Sequence, residues 1–190
     1  VVMPVVPMFH ANAWGLAFAC PAAGAKMVMP GGQLDGASVY ELLDSEKVTL
    51  TAAVPTVWLG LLQHLRAEKL ALPHLNRVII GGAAVPEAIL KAFEDDYGVE
   101  VIHAWGMTET SPIGTVGTLA PALDDAPREQ RLAQKLKQGR PPFGVEMKIV
   151  DAAATPLPHD GQASGHLLVR GFAIAGSYFG GDGGGILDAD

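Results

Sequence analysis

Apolar positions along the chain fall into short continuous runs alternating with helical stripes. Residues 1–6 predict a strand, 13–22 a helix, 26–29 a short strand, and 38–46 a helix with Val39, Leu42 and Leu43 on one face. Residues 50–53 predict a third strand. Pro55 then stands where a first helical turn tolerates proline, and Val57, Trp58, Leu61, Leu62 and Leu65 form the stripe of an amphipathic helix ending before Pro73. A fourth strand at 77–80 runs into Gly81-Gly82, followed by a helix at 86–97 with a Glu87/Lys91 pair and a fifth strand at 100–104. Such alternation predicts an α/β fold, a parallel sheet flanked by helices.

The pattern changes after Pro112. Regular periodicity lapses, and Pro121, Asp124, Asp125 and Pro127 are loop formers, which divides the chain into an α/β subdomain (1–115), a linker with an exposed helix (116–138) and a partial β-subdomain (139–190). The helix at 128–138 has Leu132 and Leu136 as its only strong apolar anchors, and its basic residues read as a solvated face. Residues 145–150 and 165–170 predict strands of a small antiparallel sheet. The run from Gly180 to Gly185 reads as a flexible turn, since no Lys-Ser/Thr follows as in a phosphate loop.

Composition narrows the function. With 13 Lys+Arg against 20 Asp+Glu the net charge is −7, which disfavours nucleic acid as a partner. Half the residues (49%) are hydrophobic, enough for a core, yet no transmembrane segment is expected: residues 1–25 carry no Asp, Glu, Lys or Arg, but Pro4, Pro7 and Pro21 interrupt them. Cys20 stands alone, which excludes a disulfide framework and points to a cytoplasmic protein, with peripheral contact with a membrane left open. The first residue is Val1, inside a predicted strand, so an excised segment of a longer protein is expected.

In a parallel α/β sheet, ligands bind beyond the carboxyl ends of the strands. Strand four is followed by Gly81-Gly82-Ala83-Ala84 and strand five by Trp105-Gly106-Met107-Thr108-Glu109-Thr110-Ser111-Pro112. Together they offer a floor of small residues, an indole that can stack on a base, hydroxyls for phosphate oxygens and a carboxylate for Mg²⁺. Plainer readings stay open: a simple β-to-α turn, a core tryptophan, a surface or capping glutamate. No zinc-ligand spacing, nucleophile elbow or complete Walker loop occurs.

Six blocks in order, Pro7 to Trp14, Val54-Pro55-Thr56, Gly81 to Ala84, Trp105 to Pro112, Gly139-Arg140-Pro141 with Gly144 to Glu146, and Gly165 with Val169-Arg170-Gly171, resemble the adenylate-forming superfamily. The resemblance is to its long-chain fatty acyl-CoA synthetase branch. It implies a ligase that joins a fatty acid or related carboxylate to ATP, giving an acyl-adenylate, and then to CoA, with Mg²⁺ and AMP in the same site. Related acyl- or aryl-CoA ligases for other acids, and a noncatalytic nucleotide-binding module, are the alternatives. The parent is a candidate homodimer.

By the same resemblance, Thr108 donates to the α-phosphate and Glu109 holds the metal. Gly81, Gly82, Ala83, His103, Ala104, Trp105 and Gly106 border the nucleotide. His10 and Ala11 border the acyl site, and Trp14 matches the indole that gates the acyl tunnel; a buried helix aromatic is the plainer reading of Trp14. The family's upstream phosphate loop and C-terminal lysine domain are absent from these 190 residues, and the chain stops short of the ribose-binding Asp. Ala104 stands where glycine is usual and His166 where Glu is common. The isolated segment is therefore expected to fold without catalysing.

Overall fold

The structure is a computed structural model that describes residues 1–181. Four parallel strands, β1 (Val2–Pro4), β2 (Leu50–Ala53), β3 (Arg77–Ile80) and β4 (Glu100–Gly106), lie side by side in chain order, and β5 (Ile113–Val116) adds an antiparallel edge to β4. Sequential order with crossovers of one hand sends the helices that lead directly into β2, β3 and β4 to the same face. That face is built by Val39 and Leu43 of α3 (Gly36–Ser45), by Trp58, Leu61, Leu62 and Leu65 of α4 (Pro55–Glu68), and by Ile89 and Leu90 of α5 (Glu87–Lys91). A π-helical turn, Ala92–Asp96, continues α5 and sets Phe93 edge-to-face on Trp58, with ring centroids 5.6 Å apart.

Side chains alternate across the strands as the pleat requires. Met3, Ala53, Val78, Ile80 and Val101 join the helix-side core, whereas Ala52 and Ile79 point the other way to a small cluster with Val6 and Ala13. The second face is thus thinly covered, by α1 (Ala11–Trp14) and α2 (Leu16–Ala22). Helix α3 begins two residues before the expected start because the Asp35 carboxylate caps the N–H groups of Ala37 and Ser38, both at 3.1 Å.

Three expectations change. Residues 26–29 form no full strand: Met27 makes a single bridge to Val2, and the chain turns away at Pro30 and Gly31. Residues 113–116, where no strand is predicted, are the edge strand β5; four residues are too few to show a period. Helix α6 (Arg128–Lys135) is half-buried, with Leu132 in the core and the Lys135 ammonium paired with Glu94, while Arg128 reaches Asp95 at 2.8 Å. Its charges read as solvated in sequence because their partners lie 33 and 41 positions earlier, in the π-helical turn.

Strands β6 (Val145–Val150) and β7 (His166–Gly171) form an antiparallel hairpin in unbroken register, from Val145 opposite Gly171 to Val150 opposite His166. Of the glycine run, residues 182–185 lie outside the described residues. Among the described residues no helix is long and apolar enough to cross a membrane. Phe93→Ala, by emptying a fully buried site against Trp58, is expected to lower unfolding free energy by about 3–5 kcal/mol, measured as a shift of the urea midpoint.

Candidate active site at the ends of strands three and four

Parallel pairing sets Ile80 opposite His103, so the residues leaving β3 and β4 emerge next to each other. A Cβ on Gly81 would lie 2.8 Å from the Ala104 carbonyl oxygen and 3.3 Å from Cη2 of Trp14. Only glycine fits here. Its bare backbone is the surface over which the Trp14 indole lies, and Gly82, with φ +76°, turns the chain away beneath it.

Trp14 reaches that position through an unusual backbone. Ala11, Asn12, Ala13 and Trp14 all have φ between +46° and +55°, and Gly15 follows at +78°, so α1 is a left-handed turn rather than the first turn of the expected helix. Left-handed conformation costs roughly 1–2 kcal/mol per non-glycine residue. Burial of Ala13 against Val6 and Ala52 offsets part of it.

A cavity of about 40 Å³ results, lined by His10, Ala11 and Trp14, by Gly81 and Gly82, and by the run from Ala104 to Thr108, with Pro112 and Ile113 closing one side. The sequence pointed to most of these residues, but it gave no role to Met107 or Pro112 and did not reach Ile113. Trp105 and Met107 also border a second cavity of about 580 Å³ between this turn and the β6–β7 hairpin, whose lining includes Glu109, Thr110, Lys148 and Arg170. The Trp105 ring lies flat on Gly114, where a Cβ would clash with it.

The turn carrying Thr108 and Glu109 is fixed by its neighbour. The Met107 N–H donates to the buried Thr110 hydroxyl at 2.9 Å, and that hydroxyl faces the carbonyls of Met107 and Pro112. Thr108 is left exposed and Glu109 half-buried at the rim. The Glu109 carboxylate accepts a hydrogen bond from Tyr178, and the Ala175 N–H donates to its carbonyl at 2.8 Å. The Tyr178 bond holds the Glu109 carboxyl below the usual carboxylate range and in return raises the phenol. Among the described residues no three His, Cys, Asp or Glu gather as a metal cluster. One carboxylate suits Mg²⁺, which keeps several waters and takes most other ligands from substrate phosphates.

His103 and Ala83 line neither cavity. The His103 side chain follows Val101 to the helix side of the sheet and is 1% exposed, with neither ring nitrogen hydrogen-bonded among the described residues. Desolvation lowers its pKa despite the nearby carbonyls of Lys137, Leu136, Lys135 and Ala83.

Comparison with known proteins bears on these loops. The sequence model described as AMP-binding enzyme matches residues 1–179. The chain belongs to this family. A 3-methylmercaptopropionyl-CoA ligase of Ruegeria lacuscaerulensis is 49% identical over 94% of the chain and 33% of its own length. A long-chain-fatty-acid–CoA ligase of Thermus thermophilus is 44% identical over 95% and 33%. The chain thus spans about a third of the length of the curated AMP-binding relatives it matches. Its fold is that of an o-succinylbenzoate coenzyme A synthetase from Bacillus subtilis, solved in complex with ATP and magnesium ion, with TM-score 0.75 at 23% identity over 94% of this chain and 34% of that one.

The buried imidazole makes a measurable claim. Because folding lowers the His103 pKa, the unfolded chain binds the proton more tightly, and stability rises with pH. The contribution is complete above about pH 6.5, the ordinary imidazole value, and is lost as pH falls from there through the lowered value. Melting temperatures between pH 7.5 and 5.5 are expected to fall less for His103→Gln than for the parent sequence.

Proposed function

We propose that the protein containing this chain is an acid–thiol ligase that activates a carboxylic acid with ATP and passes the acyl group to CoA. One observation supports this reading above the others: Gly81 and Gly82 after β3, the Trp105–Thr108 run at the end of β4 and the Trp14 indole meet around one cavity. Bringing a carboxylate to the α-phosphate of ATP joins two anions, so the chemistry is charge management.

The adenine lies against Gly82 and Trp105, next to Ala104 and Gly106, with Ala83 and His103 outside that lining. The Thr108 hydroxyl, exposed on its turn, donates to the α-phosphate where charge builds up. Glu109 would hold the Mg²⁺, which supplies further positive charge for the phosphates. The acid enters past His10 and Ala11 with its carbonyl end toward Ala104 and Gly81, under Trp14. The acid's carboxylate displaces pyrophosphate from the α-phosphate to give the acyl-adenylate, and the CoA thiol then attacks the acyl carbonyl and displaces AMP.

The acid is a fatty acid or a shorter aliphatic relative. Trp14 supports a gated tunnel: with the indole lying on Gly81, the cavity is far too small for a long chain, and a flat ring can open it only by swinging off that surface. The relative at 49% identity is named for 3-methylmercaptopropionyl-CoA and the one at 44% for long-chain fatty acids, so overall similarity leaves the length of the acid to the Trp14 cavity.

Acid-dependent ATP–pyrophosphate exchange on the full-length protein, with acids from acetate to palmitate and several aryl acids, tests the reading. Exchange should require one class of aliphatic acid and fall by about 10²–10³ in Glu109→Ala. Mg·ATP binding with no exchange for any acid would leave a nucleotide-binding module instead. In the same assay Trp14→Ala should shift preference by at least tenfold toward longer acids, and an unchanged chain-length profile would remove Trp14 from the gate.

A further inference from the structure

We infer that Tyr178 is a positioning residue for the Glu109 carboxylate: with the Ala175 N–H, its phenol ties the segment after β7 to the Thr108–Thr110 turn and presents Glu109 to the larger cavity. This rests on the reading of Glu109 as the metal's protein ligand.

Glu109 sits on a three-residue turn and has three rotatable side-chain torsions, and no ion pair is recorded for it among the described residues. Its one side-chain hydrogen bond there is the phenol of Tyr178, 69 residues further along the chain. The backbone bond from Ala175 fixes where Glu109 leaves the turn, and the phenol fixes where its carboxylate points. The phenol is a neutral donor on Oε1, so it orients the group without neutralising it. A carboxylate has lone pairs to spare on both oxygens, and Oε2 stays available to a divalent cation. A lysine in the same place would orient the group equally well but compete for its charge.

Sequence gave no sign of this pair, because Tyr178 stands beside the glycine run. The contact also links the hairpin to the sheet at the rim of the site. Whatever turns the hairpin away from the sheet therefore removes the restraint from Glu109 as well.

The test is Mn²⁺ binding to the full-length protein with a non-hydrolysable ATP analogue, followed by the electron paramagnetic resonance of free Mn²⁺, alongside exchange kinetics. Tyr178→Phe keeps the ring and removes only the hydroxyl. It should weaken Mn²⁺ binding roughly fivefold, leave the KM for the acid and the melting temperature unchanged, and regain most of the exchange rate at saturating Mn²⁺. Mn²⁺ bound as tightly as by the parent, or tighter, overturns the proposal, and tighter binding would make the phenol a blocking group. A silent Tyr178→Phe beside a weakened Tyr178→Leu also overturns it, by showing that only ring packing matters. Glu109→Gln separates the two levels. If it binds Mn²⁺ like the parent, the reading of Glu109 as metal ligand fails; if it loses binding while Tyr178→Phe does not, the positioning role alone fails.

Discussion

The site depends on the side-by-side parallel pairing of β3 and β4. Because Ile80 lies opposite His103, the Gly81 backbone comes against the Ala104 carbonyl, and β4 runs three residues past His103 before the turn that bears a hydroxyl and a carboxylate. A slip of one residue would exchange the faces of the strand, sending Ala104 into the helix-side core and the His103 imidazole toward the ligand face. Burial of Val78, Ile80 and Val101 on one side and Ile79 on the other opposes that slip. The register that places the chemistry is set by the same residues that build the core.

The two faces of the sheet divide the work. Helices α3, α4 and α5 gather on one face and fill it with Trp58, Phe93 and the leucines of α4. The other face keeps little more than a left-handed turn and a short helix, so backbone and small side chains border the cavity there instead of a packed core. That thin side holds four successive residues with positive φ, ending at Trp14. Stable packing and a site open to substrate are thus kept on opposite sides of one layer.

Much of this was legible in the chain. Strands 50–53, 77–80 and 145–150 coincide with their predicted spans, because runs such as Arg77-Val78-Ile79-Ile80 are apolar on both faces and bounded by polar or glycine residues. The loops after β3 and β4 were recognisable from glycine and hydroxyl content, and most of their residues line one cavity. What sequence could not show depends on distance along the chain. Lys135 is buried because Glu94 lies 41 positions away, Glu109 is oriented from position 178, and β5 owes its strand form to β4 rather than to any period of its own. The left-handed turn was hidden too, since Ala-Asn-Ala-Trp reads locally as helix and is held otherwise by tertiary contacts.

The π-helical turn at Ala92–Asp96 shows how this fold fixes the number of residues as well as their kinds. Its surplus residue lets Phe93 enter the core beside Trp58 while Glu94, the next residue, meets both the Val101 N–H and the Lys135 ammonium. Removing one residue would restore a regular helix but rotate everything beyond the deletion by about 100°, so one of those two side chains would lose its place. Side chains along this segment are open to exchange, but its length is not. Among the segments that join the strands, it is the one where a gap in an alignment would signal a different way of anchoring β4.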